Sequence, residues 1–159
     1  MVGVMMTKIV KPKPDLLVIG WMEHLGLPTL GVERLKAKID TGARTSALDA
    51  THIETYQKDG AEWVRFQVKV DEDLPEIWIE TPVYDRRPIK NTSGVPEERI
   101  VIRTLLQLGG QSWPISVSLA DRKNMRFPMI VGRSALKNRN IAVHTRRANL
   151  TSVSGQKRR

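Results

Sequence analysis

The sequence predicts a mostly β protein whose sheet closes into a small barrel. Short runs rich in β-branched and aromatic residues recur along the chain, and glycine-containing turns separate them. Almost no segment repeats its apolar residues with a helical period. The chain has 159 residues, which is enough for one domain with its own core.

The predicted strands are, in chain order, 16–21, 32–39, 48–56, 63–70, 77–81, 100–108, 113–119, 127–132 and 141–143. The first two are predicted to form a hairpin that ends at Asp40. Asp59-Gly60 and Gly109-Gly110 are typical of hairpin turns. A long polar loop is predicted over 85–98, and one short helix is predicted from Arg133 to Lys137.

The composition divides the chain into three predicted segments. Residues 1–14 are predicted to be a flexible arm, because their prolines deny hydrogen bonds and little there can pack. Residues 15–145 are predicted to form the domain. Residues 146–159 are predicted to be a basic flexible tail.

Charge is distributed unevenly. The net charge is +9, yet the first 121 residues hold 15 basic and 17 acidic side chains, while 122–159 hold eleven basic and no acidic ones. This basic segment is either a solvated face with a tail or a surface that attracts a polyanion such as RNA, a ribosome or an acidic peptide. Aromatic residues make up only 5% of the chain, with no run that alternates them with basic residues, so sequence-specific nucleic-acid binding is not expected.

Several classes of site are excluded by residues that the chain lacks. There is no cysteine, no P-loop, no Gly-x-Ser-x-Gly elbow and no His-Glu-x-x-His. The three histidines, His24, His52 and His144, are isolated in the sequence. The expected cofactor and metal sets are therefore empty, and carboxylates remain as the candidate catalytic groups. No apolar run is long enough for a membrane span or a signal peptide, and we expect a cytoplasmic protein without membrane contact.

The strongest motif is Asp40-Thr41-Gly42-Ala43, which follows an apolar run. Alone, Asp-x-Gly is ordinary turn chemistry. A second motif, Met129-Ile130-Val131-Gly132-Arg133-Ser134-Ala135-Leu136, gives it context. The two in this order resemble the retropepsin-like aspartic proteases. In particular they are similar to the bacterial and archaeal family often labelled "ATP-dependent zinc protease", which includes the RimB-like proteins. The sequence contains no recognisable zinc-binding or ATP-binding motif.

The resemblance implies an aspartic endopeptidase. Metal-free peptide hydrolysis needs a general base and a general acid, and in aspartic proteases two carboxylates that share one proton supply both. This chain has one Asp-Thr-Gly turn, so the resemblance implies a homodimer in which Asp40 of each protomer meets on the two-fold axis. Thr41 would hydrogen-bond across this pair, and Gly42 would direct an amide toward it.

The resemblance also assigns supporting and substrate-binding residues. Gly132 would pack behind the turn, and Arg133 would open the helix and pair with an acid. Retropepsins often have that acid just after the turn, whereas this chain has Arg44, which would stabilise the carboxylate of Asp40 or bind an acidic substrate. The residues assigned to substrate binding are Ala43, Arg44, Arg86 and Arg87. The flap that covers the substrate would be 85–98 or, alternatively, 71–76.

Relatives of the RimB-like type are associated with a glutamate ligase that modifies a ribosomal protein. The resemblance thus implies a glutamate-rich or poly-glutamylated protein as substrate, with that ligase or a ribosomal protein as partner. An alternative is a non-catalytic binding module of the same fold that docks an acidic partner, a ribosome or the ligase. A metal-dependent hydrolase is a third, lesser alternative.

Overall fold

The structure, a computed structural model, describes residues 15–90, 93–121 and 126–151. The predicted arm 1–14 and residues 152–159 of the predicted tail lie outside this range. Within the described residues the elements are β1 (Leu17–Gly20), β2 (Met22–Leu27), β3 (Val32–Asp40), β4 (Ser46–Asp49), β5 (Thr51–Lys58), β6 (Ala61–Val68), β7 (Ile77–Pro82), β8 (Asp85–Lys90), β9 (Pro96–Leu108), β10 (Gln111–Ala120), β11 (Met129–Gly132), α1 (Arg133–Leu136) and β12 (Ile141–His144).

Six strands form a closed ring. Their order is β10-β4-β11-β3-β2-β9, and β9 also pairs with β10, which closes the ring. β8 pairs with the first half of β9, β5-β6-β7 form a separate antiparallel sheet, and β1 pairs with β12. The predicted fold class, mostly β with a closed sheet and one short helix near the C-terminus, is confirmed.

One hydrophobic core joins the ring to the three-stranded sheet. Leu35, Ile102 and Leu106 of the ring and Phe66 of β6 are at most 1% exposed. Each such side chain contributes about 1.5–3 kcal/mol through its removal from water. β9 shows how the sequence produces this packing, because its residues alternate between buried and exposed along much of its length.

Both predicted hairpin turns between neighbouring strands are confirmed. Asp59 and Gly60 take positive φ angles of 51° and 78° between β5 and β6, which suits a tight hairpin turn. Gly109 and Gly110 join β9 to β10 in the same way. The predicted strand 48–56 is wrong as one element, because the chain leaves the ring at Ala50 and continues as β5 in the other sheet.

The predicted first hairpin has the wrong partner. β3 pairs with β2, not with 16–21, and the predicted strand lies instead in β1, parallel to β12. β2 was not predicted because Glu23 and His24 interrupt its apolar residues. Glu23 is nevertheless only 1% exposed.

The C-terminal segment explains this burial. The carboxylate of Glu23 accepts hydrogen bonds from the amides of Gly20 (2.6 Å), Leu150 (2.8 Å) and Thr151 (3.3 Å) and from the Thr151 hydroxyl (2.6 Å). The Asn149 amide also donates to the carbonyl of Met22. The tail predicted to be flexible from Arg146 is therefore held against β2 as far as Thr151. We call these contacts the Glu23 clasp.

The predicted loop 85–98 is also wrong as a loop. Residues 85–90 form β8, which pairs antiparallel with β9 from Asp85↔Val101 to Lys90↔Pro96. This hairpin was not predicted because its outer face is polar. Arginines and carboxylates on that face pair with each other. Arg86 forms ion pairs with Glu62 (2.6 Å) and Glu98 (2.8 Å).

The Glu23 clasp predicts a stability effect. Glu23→Gln replaces an acceptor-only carboxylate with an amide whose NH₂ faces donors, so we expect the free energy of unfolding to fall by roughly 1–3 kcal/mol. Glu33→Gln, at an exposed position of β3, is the matched control. Urea denaturation measures both. Equal small losses in the two variants would contradict a stabilising role for the clasp.

Candidate active site

Asp40 lies at the end of β3, where the chain turns sharply. Its Oδ1 accepts a hydrogen bond from the amide of Gly42 (3.1 Å), and its carbonyl accepts one from the amide of Ala43 (3.1 Å). The aspartate is half-buried, while Thr41 and Gly42 are exposed. The backbone thus holds one carboxylate at the protein surface in a fixed orientation, which a general acid or base requires.

β11 lies directly behind this turn. It runs parallel to β3 with Gly132 opposite Asp40, and antiparallel to β4. The amide of Arg133 donates to the carbonyl of Ala43 (2.9 Å), and that of Ser134 donates to the carbonyl of Arg44 (3.1 Å). These two hydrogen bonds hold the C-terminal part of the turn, Ala43 and Arg44, against the start of α1.

Gly132 cannot carry a side chain here. A Cβ at this position would lie 2.5 Å from the carbonyl carbon and oxygen of Thr45. Its own backbone is extended (φ −84°, ψ 167°), so the reason for glycine is close backbone approach and not a left-handed conformation. The structure therefore places Gly132 directly against the backbone of Thr45, just after the turn.

Ser46 belongs to this arrangement, although sequence reasoning did not single it out. It is fully buried, its Oγ accepts from the amide of Gly132 (3.0 Å), and its carbonyl accepts from the hydroxyl of Ser118 (3.2 Å). The available signal was a hydroxyl residue directly before the apolar pair Ala47-Leu48, six residues after Asp40.

Arg133 does not pair with an acid in the described part of the chain, so that expectation is wrong. Its Nη1 instead donates to the carbonyls of Thr41 (3.4 Å) and Gly42 (3.3 Å). The physical reason is local, because Arg44 occupies the place where an acid would stand. The guanidinium stabilises the turn through its carbonyl oxygens.

Arg44 and Ala43 lie on the turn itself. The Arg44 side chain is exposed and Ala43 is half-buried. A bond from Thr41 across a pair of turns needs a second protomer, and this role of Thr41 stays a prediction.

Arg86 and Arg87 lie on opposite faces of β8. The hydrogen bonds that Arg86 donates to the Glu62 and Glu98 carboxylates hold the pKa of Arg86 above its usual value, and the same bond to Glu62 lowers the pKa of Glu62. Arg87 lines a cleft together with Thr45 and Ser134, and its Nε donates to Asp85 (2.8 Å), which lowers the pKa of Asp85. Arg86 is not among the residues that line this cleft.

A small cleft separates the β8–β9 hairpin from the turn. It is lined by Thr45, Ser46, Arg87, Ile89, Val101, Ser116, Ser118 and Ser134. Of the two flap candidates, 85–98 contributes to this lining, whereas residues of 71–76 do not.

No metal centre is assembled by the described residues, in which no three of His, Cys, Asp and Glu converge. The histidines have local roles: Nδ1 of His24 pairs with Asn149, and Nδ1 of His144 accepts from the amides of Arg146 and Arg147. In the same part of the chain, no helix is long and apolar enough to cross a membrane.

A family model described as RimB-like, retropepsin-like aspartic endopeptidase RimB, matches residues 18–152. A crystal structure of Lpg0085 from Legionella pneumophila, a protein with unknown function, is similar with a TM-score of 0.73 and 26% identity, covering 87% of this chain and 100% of that one.

Longer proteins also match. A probable alpha-L-glutamate ligase of Desulfotalea psychrophila is 42% identical over 125 residues, 77% of this chain and 27% of that protein. One of Parasynechococcus marenigrum is 41% identical over 125 residues, with the same two coverages. One of Shewanella pealeana is 37% identical over 126 residues, 78% of this chain and 28% of that protein. The chain therefore spans little more than a quarter of these relatives.

Ser46 gives a test of the geometry. Ser46→Ala leaves the buried amide of Gly132 without its acceptor, so we expect a loss of roughly 1–3 kcal/mol in the free energy of unfolding. Ser112→Ala, at an exposed position of β10, is the control and is expected to change stability by less than about 0.5 kcal/mol. Thermal or urea unfolding measures the difference. A Ser46→Ala protein as stable as the control would contradict the assigned bond.

Proposed function

Because the chain belongs to the RimB-like family of retropepsin-like aspartic endopeptidases, we propose that it hydrolyses peptide bonds with a pair of Asp40 carboxylates from two protomers. The observation that supports this is the Asp40 turn, which presents a backbone-anchored carboxylate at the surface next to a cleft. One Asp40 carboxylate takes a proton from the water that attacks the carbonyl carbon, while the protonated Asp40 of the other protomer gives its proton to the carbonyl oxygen. The first Asp40 then passes the proton it gained to the leaving amine, and the second takes a proton back from the diol as the peptide bond breaks. A metal ion is not needed for this reaction.

The second protomer is required because the sequence has one Asp-Thr-Gly turn. The β1–β12 pair is well placed to bring two copies together. The carbonyl of Trp21, just after β1, accepts from the amide of Ile39, which is next to Asp40. Leu16 and Val18 beside this pair are 57% and 42% exposed. We propose that these apolar side chains meet their copies in the dimer, close to the two aspartates.

The β8–β9 hairpin is the proposed flap. It borders the cleft beside the turn, and an extended peptide held beneath it would be kept from water. We propose that the reaction takes place in the cytoplasm, where a chain without cysteine suits reducing conditions.

The proposed substrate is an acidic, glutamate-rich or poly-glutamylated protein. Two observations support it. The relatives named probable alpha-L-glutamate ligase contain a segment 37–42% identical to this chain. The chain itself carries a net charge of +9, which attracts polyanions.

The same relatives favour a second candidate function. A module that makes up about a quarter of a probable ligase can serve to dock substrate or ligase without cutting peptide bonds. In this alternative the basic surface binds an acidic partner, a ribosomal protein or the ligase, and Asp40 is a turn residue only.

Asp40→Asn separates the two candidates. We expect the variant to keep its fold and to lose peptide hydrolysis by at least about a thousandfold, because an amide can act neither as base nor as acid. Release of glutamate peptides from a poly-glutamylated protein is measured by mass spectrometry, and melting temperature reports the fold. Asp59→Asn, in the β5–β6 turn, is the matched control because Asn also suits this turn.

Three outcomes would count against the proposal. Wild-type protein that cuts no poly-glutamylated or acidic protein would favour the binding module. Undiminished hydrolysis by Asp40→Asn would remove Asp40 from the mechanism. Hydrolysis abolished by a chelator would support the metal-dependent alternative.

Subunit mixing tests the shared site. When Asp40→Asn protein is mixed in equal amount with wild type and allowed to exchange, about half of the wild-type subunits enter mixed dimers that hold one carboxylate. Activity per wild-type subunit is then expected to fall by about half, and further with excess variant. Mixing with Asp59→Asn protein is the control. Activity that stays constant while subunit exchange is demonstrated would show that one protomer suffices.

A further inference from the structure

The β8–β9 hairpin carries two arginines directly opposite each other. The strand register pairs Arg87 with Arg99. Residues paired across antiparallel strands project from the same face, and so do residues two apart on one strand. Arg87, Ile89 and Val101 line the cleft beside the Asp40 turn. Arg99 therefore lies on the side of the hairpin that faces this cleft.

The Arg99 side chain is buried although its guanidinium is not fully hydrogen-bonded. It is only 8% exposed, and its Nε is buried without a hydrogen-bond partner. Its Nη2 lies 3.8 Å from Oε2 of Glu97, which is beyond hydrogen-bonding distance. A buried guanidinium disfavours folding unless its donors are satisfied, and a second cation directly opposite adds repulsion. Glu97 therefore pairs with Arg99 without a hydrogen bond, and the buried Arg99 Nε still lacks a partner.

The lining of the cleft offers hydrogen-bond donors to a further anion. It contains no carboxylate, and apart from Arg87 and two apolar side chains it consists of hydroxyl residues. Hydroxyls donate readily to an anion. Asp85 binds Arg87 through Nε, whereas a bidentate carboxylate engages a pair of guanidinium nitrogens.

We infer that this cleft is a subsite for a carboxylate side chain of the peptide, bound between Arg87 and Arg99. The inference rests on the proposed function and deepens it. It assigns the acidic preference to Arg87 and Arg99 on one face of the hairpin, and not to overall charge, to Arg44 or to Arg86 on the opposite face. The cleft adjoins the Asp40 turn, because Thr45 follows the turn in the chain and the amide of Ser134 donates to the carbonyl of Arg44.

Peptide binding tests the subsite without hydrolysis. Fluorescently labelled oligoglutamate and oligoglutamine peptides are titrated into full-length Asp40→Asn protein and into the same protein with Arg87→Gln. Arg87→Gln is expected to weaken oligoglutamate binding roughly tenfold or more, because it removes a charge-assisted bidentate contact, and to leave oligoglutamine binding unchanged. Arg34→Gln removes the same charge from an exposed position near the start of β3 and is expected to preserve the preference. Equal losses with Arg34→Gln and Arg87→Gln would overturn the subsite.

Arg99→Met adds a readout that a structural role would not give. Methionine fills similar space without a charge, so we expect the peptide-free melting temperature to stay the same or rise while the preference for oligoglutamate is lost. A lowered melting temperature with the preference intact would overturn the part assigned to Arg99. If this variant does not fold, the Arg87→Gln comparison decides the proposal.

The two proposals fail separately. Wild type that cleaves neither peptide, combined with Arg87-dependent oligoglutamate binding, would refute the endopeptidase and keep the subsite. Hydrolysis that depends on Asp40 but discriminates glutamate from glutamine equally well with and without Arg87 would refute the subsite and keep the endopeptidase.

Discussion

The candidate site depends on one close backbone contact, between Gly132 and Thr45. The segment that joins β3 to β4 passes over the end of β11, so near that a single added methyl group would lie 2.5 Å from the Thr45 carbonyl. The bonds around the contact follow from it: the Gly132 amide reaches Ser46, and the next two amides reach the carbonyls of Ala43 and Arg44. The orientation of Asp40 is thus set by backbone groups, which leaves the side chains of the turn exposed for substrate or a second protomer.

How much of this could be predicted depends on whether the information is local. The Asp40 and Gly132 motifs and the Asp-Gly and Gly-Gly turns are short signals, and each predicted its element. β2 and β8 are different, because their polar side chains are accommodated by partners distant in the chain. Glu23 is satisfied by Leu150 and Thr151, more than 120 residues later. Ser46 is similar, since only the fold shows that its hydroxyl faces the Gly132 amide.

Two buried charged residues in the same fold call for opposite interpretations. The Glu23 carboxylate accepts four hydrogen bonds and needs nothing further. Arg99 is almost as deeply buried, yet the Glu97 carboxylate lies 3.8 Å from it, its Nε has no hydrogen-bond partner, and another arginine is opposite it. A satisfied buried charge is explained by structure alone, whereas an unsatisfied one lowers stability unless a ligand completes it. That contrast is why we assign Glu23 to the fold and Arg99 to binding.

The Glu23 clasp also connects the chain terminus with the candidate site. It holds the C-terminal segment on β2, and the amide of Trp21 donates to the carbonyl of Arg147 within that segment. The carbonyl of the same Trp21 accepts from Ile39, one residue before Asp40. A rigid run of backbone bonds thus joins the β1–β12 pair to the turn. If two protomers meet at the β1–β12 pair, these backbone bonds set the position of each Asp40 relative to the interface. Loss of the Glu23 clasp would then disturb both the dimer surface and the distance between the two Asp40 carboxylates.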